Sequence, residues 1–158
     1  MTLGPRAMHL VRHFEGCVRH AYLDGGGIVT IGFGATGPDI HAGTVWTQDQ
    51  CDARLATDIQ SFVGYTVALL HGQPTTPAQL GALTDACYNA GPGSLAKSPM
   101  LAGHLAHDYA AAAAAFAGWH VHDHAGNLQP GLVTRRLAEA ALYAGDMARF
   151  DRLTAFIG

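Results

Sequence analysis

Apolar positions recur at helical spacing from the start of the chain. Met8, Leu10, Val11 and Phe14 line one side of a short helix that opens at Pro5 and is stopped by Gly16. The period then changes. Residues 21–34 alternate as strands do, around a turn at Gly25-Gly26-Gly27. Thr47 to Gln50 has capping-box spacing, with Trp46 in the staple position. Cys51, Leu55, Ile59, Phe62, Val63, Val67 and Leu70 follow at helical spacing, which predicts one long helix ending near Gly72. A second capping box, Thr76 to Gln79, with Pro77 in the first turn, opens a helix running to Gly91-Pro92. Ser98-Pro99 starts another. The alanine-rich stretch from Asp108 to Trp119 is helical by propensity, because alanine has no side-chain entropy to lose. Residues 122–131 read as a loop. The last two helices, 132–144 and 147–157, are split by Gly145-Asp146.

This order predicts an α+β, mainly helical, two-lobed chain. A β-rich lobe spans 15–46, a connecting helix 47–71 and a helical lobe 76–158, with residues 1–14 packing on the helical lobe. No repeat or linker separates independent domains. With 49% apolar residues in 158, there is enough for a real core. The formal charge of -3 leaves no basic footprint for nucleic acid or anionic surfaces, although ten histidines add positive charge as pH falls below about 6.5. Three widely spaced cysteines form no CxxC pair and no even framework, so free buried thiols are expected. Arg6, His9, Arg12 and His13 interrupt the N-terminus, which therefore lacks the apolar core of a signal peptide, and no run of about 18 apolar residues occurs. The expectation is a chain made in a reducing cytoplasm with no membrane anchor.

The densest chemistry lies between Phe14 and Gly34. Glu15 ends the first helix beside an apolar face, where burial would disfavour its charged form and suit a general acid. Asp24 precedes the glycine turn. It is either a turn residue or a second working carboxylate. Strand alternation puts Val29, Ile31 and Phe33 on one face, and Ile28, Thr30, Gly32 and Gly34 on the other. The second face then offers one hydroxyl between bare glycines, either as an open groove wall or as a glycine-rich bulged hairpin. Two carboxylates flanking a cleft suit hydrolysis of a glycosidic bond.

Glu15-Gly16, Ala21-Tyr22, Asp24, Gly27, Thr30-Ile31-Gly32-Phe33-Gly34 and Thr36 resemble the signature of phage-type lysozymes, glycoside hydrolase family 24. The segments "TGPDIHAG", "WTQDQCDARLATDI", "YNAGPGSLAKSPML" and "GLVTRRLAEAAL" extend the resemblance over nearly the whole chain. It implies a lysozyme-like fold and cleavage of the β-1,4 bond between N-acetylmuramic acid and N-acetylglucosamine, with inversion usual. By the resemblance, Glu15 is the general acid, Asp24 and Thr30 orient or activate water, and Arg135 supports Glu15. Gly32, Phe33, Gly34, Tyr88 and Asn89 are the substrate-binding candidates. No cofactor or metal is implied. The implied setting is a monomeric endolysin held in the host cytoplasm until a holin releases it onto the cell wall.

Ala35 stands where this family commonly has histidine, and the chain is acidic where cell-wall lysozymes are often basic. His120, His122 and His124 alternate around Asp123, but no cysteine lies nearby and the spacing fits no standard zinc motif, so a polar loop is expected. Trp119 reads as core or a lobe anchor, Cys17 as a small buried hydrophobe, and Arg135-Arg136 as a solvated pair unless Arg135 is the partner of Glu15. The competing functions are a lytic transglycosylase, which needs no water-activating aspartate, and a peptidoglycan-binding module without catalysis.

Overall fold

The structure is a computed structural model that describes residues 2–157. The chain divides into two compact units, Glu15–Ser61 and the remainder. No helix among the described residues is long and apolar enough to cross a membrane.

In the small unit, β1 (Val18–Leu23) and β2 (Val29–Gly32) pair antiparallel, with Tyr22 opposite Thr30 and Val18 opposite Gly32. The register shifts between those two pairs, so β1 carries extra residues there. Their backbone groups bond elsewhere: Ala21 N–H donates to the Thr44 carbonyl, and the Arg19 carbonyl accepts from Trp46 N–H. Bulges of this kind redirect a strand. Beyond β2, Ile31 and Ala35 exchange both backbone hydrogen bonds across a tight turn. Ile31, Ala35 and Ile40 form the unit's small core, with Trp46 packed against it. Ala35, in the family's histidine position, is thus a core residue.

This arrangement corrects the expected open strand face. Thr30 is only 4% exposed and Gly32 is buried, as is Ile31 on the opposite side. A Cβ on Gly32 would lie 3.4 Å from the Trp46 ring and 3.6 Å from Cys51 Sγ. Indole and thiol therefore cover the backbone that alternation alone left bare. Gly32 also has φ +67°, a conformation that side chains disfavour.

The long helix α2 (Gln48–Leu69) begins in the small unit and ends in the large one. Its capping box is present: Gln50 N–H donates to Thr47 Oγ1, and Thr47 N–H donates to Gln50 Oε1. Cys51, Leu55, Ile59 and Val63 are buried as their spacing predicts, but Val67 is 40% exposed. Thr66 is buried in its stead, its hydroxyl donating back to the Phe62 carbonyl, which satisfies a polar group inside the core.

The large unit contains α1 (Pro5–Glu15) up to Phe14, then α3 (Pro77–Ala90), α4 (Pro92–Ala96), α5 (Pro99–Leu105), α6 (Tyr109–Ala115), α7 (Pro130–Ala144) and α8 (Met147–Thr154). Proline opens five of these seven helices, where its missing N–H costs nothing. Helix α4 escapes sequence reading because it is one short turn restarted by Pro92 after Gly91 (φ +85°) has ended α3. From Leu80 to Cys87 every residue of α3 is buried, which makes it the central helix. Its Leu83 shares one core with Leu10, Phe116, Leu142 and Phe150. At Gly81 the neighbouring helix α1 comes so close that a Cβ would lie 2.5 Å from the Cβ of Ala7.

Candidate active site

Glu15, Asp24, Thr30, Gly32, Phe33 and Gly34 all belong to the small unit, whereas Tyr88, Asn89 and Arg135 belong to the large one. Glu15 is the last residue of α1, half-buried, and Gly16 turns the chain away with φ +65°. Gly34, exposed and at φ +88°, lies beside it: a Cβ there would be 3.9 Å from Glu15 Oε2. Only a glycine gives this position both its backbone conformation and an open approach to the carboxylate. Phe33 is buried at 5% exposure, so it backs this turn from inside.

Asp24 and Thr30 are brought together through Ile28. Asp24 Oδ1 accepts the Gly26 and Ile28 N–H groups at 2.8 and 2.9 Å. The Ile28 carbonyl accepts from Asp24 N–H and, at 3.0 Å, from the Thr30 hydroxyl. Both readings of Asp24 thus have a physical basis. One carboxylate oxygen builds the glycine turn, while Oδ2 takes no hydrogen bond from any described residue. The Thr30 proton is committed to Ile28, which leaves the lone pairs of Oγ1 to accept from another donor.

The same turn recurs in the large unit. Asp123 Oδ1 accepts Ala125 N–H and Asn127 N–H, Asp123 N–H donates to the Asn127 carbonyl, and Gly126 N–H donates to the Asp123 carbonyl. Here the second oxygen is occupied by the amides of Asn127 and Gln129. These hydrogen bonds, led by the Asn127 backbone, hold the Asp123 carboxyl below its ordinary range. The histidine-bearing loop is therefore organised by Asp123, and no group of three or more metal-ligating side chains occurs among the described residues.

In the large unit Tyr88 packs its ring on Phe62 at 4.8 Å, and the Asn89 side-chain oxygen Oδ1 accepts from the Arg136 guanidinium. Trp119 lies against the same guanidinium, its ring centre 4.9 Å away. Arg135 donates a bidentate pair to Asp85 at 2.8 and 2.9 Å, and Arg136 grips Glu139. All four charged side chains are buried, which corrects the solvated reading of Arg135-Arg136. Burial pushes the Glu139 carboxyl well above its usual range; the Asp85 charge adds to this and Arg136 opposes it. Sequence reading missed Asp85 and Glu139 as parts of this cluster. The Arg135–Glu139 spacing of four residues along one helix was the available signal.

Comparison with known proteins agrees with this picture. Residues 12–139 match the Phage lysozyme family. The chain is 32% identical over 148 residues to an endolysin of Acyrthosiphon pisum secondary endosymbiont phage 1, covering 90% of this chain and 98% of that one. It is 31% identical over 157 residues to an endolysin of Bacillus phage B103, covering 98% of this chain but only 59% of the length of that relative. Among solved structures, an endolysin from Escherichia coli O157:H7 phage FAHEc1 superposes with a TM-score of 0.83 at 29% identity, over 92% of this chain and 95% of that one. With a lysozyme fold and a family match over most of its length, the chain belongs to the phage lysozyme family.

Proposed function

We propose that the protein is an endolysin that hydrolyses the β-1,4 bond between N-acetylmuramic acid and N-acetylglucosamine in bacterial peptidoglycan. The observation that carries this reading is the division of labour at Asp24. One oxygen holds the turn and the other takes no hydrogen bond from any described residue, within a hairpin that also fixes Thr30. Glu15 gives its proton to the glycosidic oxygen as that bond breaks. Asp24 Oδ2 takes a proton from the attacking water, and Thr30 Oγ1 accepts the hydrogen bond that orients it. Gly34 leaves the approach to Glu15 open, backed from inside by the buried Phe33, with Tyr88 and Asn89 as the further sugar contacts. Arg135, held by Asp85, is assigned support of Glu15. The protein works as a monomer, waits in the host cytoplasm and acts on the cell wall after a holin opens the membrane.

The test is loss of turbidity in outer-membrane-permeabilised cells exposed to wild type and Glu15→Gln, with mass spectrometry of the released muropeptides. Glu15→Gln should clear cells roughly 10²- to 10⁴-fold more slowly. The wild-type products should carry reducing ends. Equal clearing by both proteins removes Glu15 as the acid, and purely anhydro ends would make the enzyme a lytic transglycosylase.

A further inference from the structure

We propose that His9 and His13 of α1 bind one divalent transition-metal ion of the zinc class, with water completing its shell. The site is independent of the lytic reading and uses residues that reading leaves out. The two histidines stand four apart on one helix, so their side chains rise from the same face a turn apart. Paired histidines at this spacing on a helix are a zinc-binding arrangement. Their ring centres are 5.6 Å apart and the ring planes are tilted by 31°. Zinc–nitrogen bonds of about 2.0–2.1 Å would set two rings on one ion with centres roughly 5 Å apart at the tetrahedral angle. The two rings are therefore a small rotation away from sharing an ion.

The surroundings hold His9 in the form a metal needs. Its Nε2 lies 2.8 Å from the Thr154 carbonyl oxygen. A carbonyl only accepts, so Nε2 carries the ring proton and Nδ1 keeps its lone pair. Ligating histidines are characteristically oriented in this way, through a backbone carbonyl on the second nitrogen. Phe156 meets the His9 ring edge-on at 5.0 Å, and the Arg6 guanidinium covers Phe156 at 4.9 Å. His13 is exposed, with its ring edge-on to Phe14 at 4.7 Å. Asp151, three residues before Thr154 on α8, is forked by Arg6 on both oxygens at 2.9 Å. That carboxylate is already committed, so the site has two protein ligands, and no larger cluster of metal-ligating side chains occurs among the described residues. Imidazole suits zinc and its neighbours, whereas magnesium and calcium need oxygen ligands. The bound ion clips the last two turns of α1 and, through His9, braces the hydrogen bond that ties this helix to Thr154.

The full-length protein, stripped of metal with a chelator, is titrated with zinc chloride by calorimetry and melted with and without the ion. Wild type should bind one zinc ion and melt at a higher temperature in its presence. Magnesium chloride should do neither. His13→Ala changes an exposed position, so it should melt as the metal-free wild type does, yet lose both the binding and the metal-induced rise. His9→Ala should lose them as well. A chain with His120, His122 and His124 all replaced by Ala should keep both, as should Cys17→Ser, which tests the histidine-bearing loop and the half-buried thiol as other sources. No saturable binding, binding that survives His13→Ala, or binding lost with the loop or the thiol would each overturn the site. One bound ion with no rise in melting temperature would overturn the clip.

Discussion

Asp24 and Thr30 are joined through the two polar groups of Ile28: its N–H donates to the Asp24 carboxylate and its carbonyl accepts the Thr30 hydroxyl. The turn and the proposed water site therefore share atoms, but they can be separated by substitution. Asp24→Asn keeps an oxygen for the Gly26 and Ile28 N–H groups and removes only the charge. It should fold with a nearly unchanged melting temperature and lose roughly 10²- to 10⁴-fold in lytic rate. Asp24→Ala should lose the same activity and melt lower as well. Asp123→Ala, which breaks the twin turn, should lower the melting temperature and leave lysis intact. Turbidity assays beside thermal melts distinguish the three. Lysis by Asp24→Asn at the wild-type rate would leave Asp24 a turn residue alone.

Gly81 and Ala7 meet at a close helix crossing. A methyl on Gly81 would lie 2.5 Å from the Ala7 Cβ, so α1 must move or strain. Gly81→Ala should cost about 1–3 kcal/mol by urea denaturation. Ala7→Gly in the same chain should recover part of that loss, because it removes the other methyl. No recovery would mean that the contact is not the source of the loss.

The buried charge cluster should respond unequally to its two carboxylates. Asp85 takes the Arg135 fork on both oxygens, so Asp85→Asn breaks a paired interaction and leaves a buried cation, at a cost of about 3–5 kcal/mol. Glu139 is pushed toward its neutral form, so Glu139→Gln should cost distinctly less. Chemical denaturation of the two variants settles the order, and a larger loss at Glu139 would contradict it.

Two buried groups give stability opposite dependences on pH. His104 is buried, with Nδ1 at 2.6 Å from the Tyr143 hydroxyl and Nε2 at 2.9 Å from Thr75 Oγ1. The Thr75 proton goes to the Gln73 carbonyl, so Nε2 carries the ring proton and Nδ1 accepts from Tyr143. Desolvation lowers the His104 pKa below 6.5, and that of His13 likewise. Their contribution is complete above 6.5 and is lost as pH falls through the lowered values. Glu139 is raised above 4.5, so its contribution is complete below 4.5 and is lost as pH rises through the raised value. Between these limits the slopes oppose. His104→Gln should tilt the urea midpoint toward greater stability at low pH, and Glu139→Gln toward greater stability at high pH. Parallel profiles for the two variants would refute the assignment.

Helix starts were legible because their chemistry is local. Thr76 and Gln79 cap each other within one turn, and Pro77 and Pro99 need only their own rings. What escaped was long-range. Alternation assigns two faces to β2, yet it carries no information about Trp46, fourteen residues beyond Gly32, folding over that glycine. The burial of Arg135 and Arg136 was hidden for the same reason, since Asp85 stands fifty positions from Arg135. Glu15, Asp24 and Thr30 could be proposed from sequence because they fall in one short segment whose glycines mark where side chains are absent.

The twin turns at Asp24 and Asp123 bear on how such a site arises. An aspartate before a glycine turn is retained for folding whether or not it does chemistry, and its second oxygen is surplus to that task. At Asp123 two amide side chains occupy the surplus oxygen; at Asp24 nothing described does. A lineage could thus recruit a reactive carboxylate by losing neighbours rather than by gaining a residue, with the hairpin already in place.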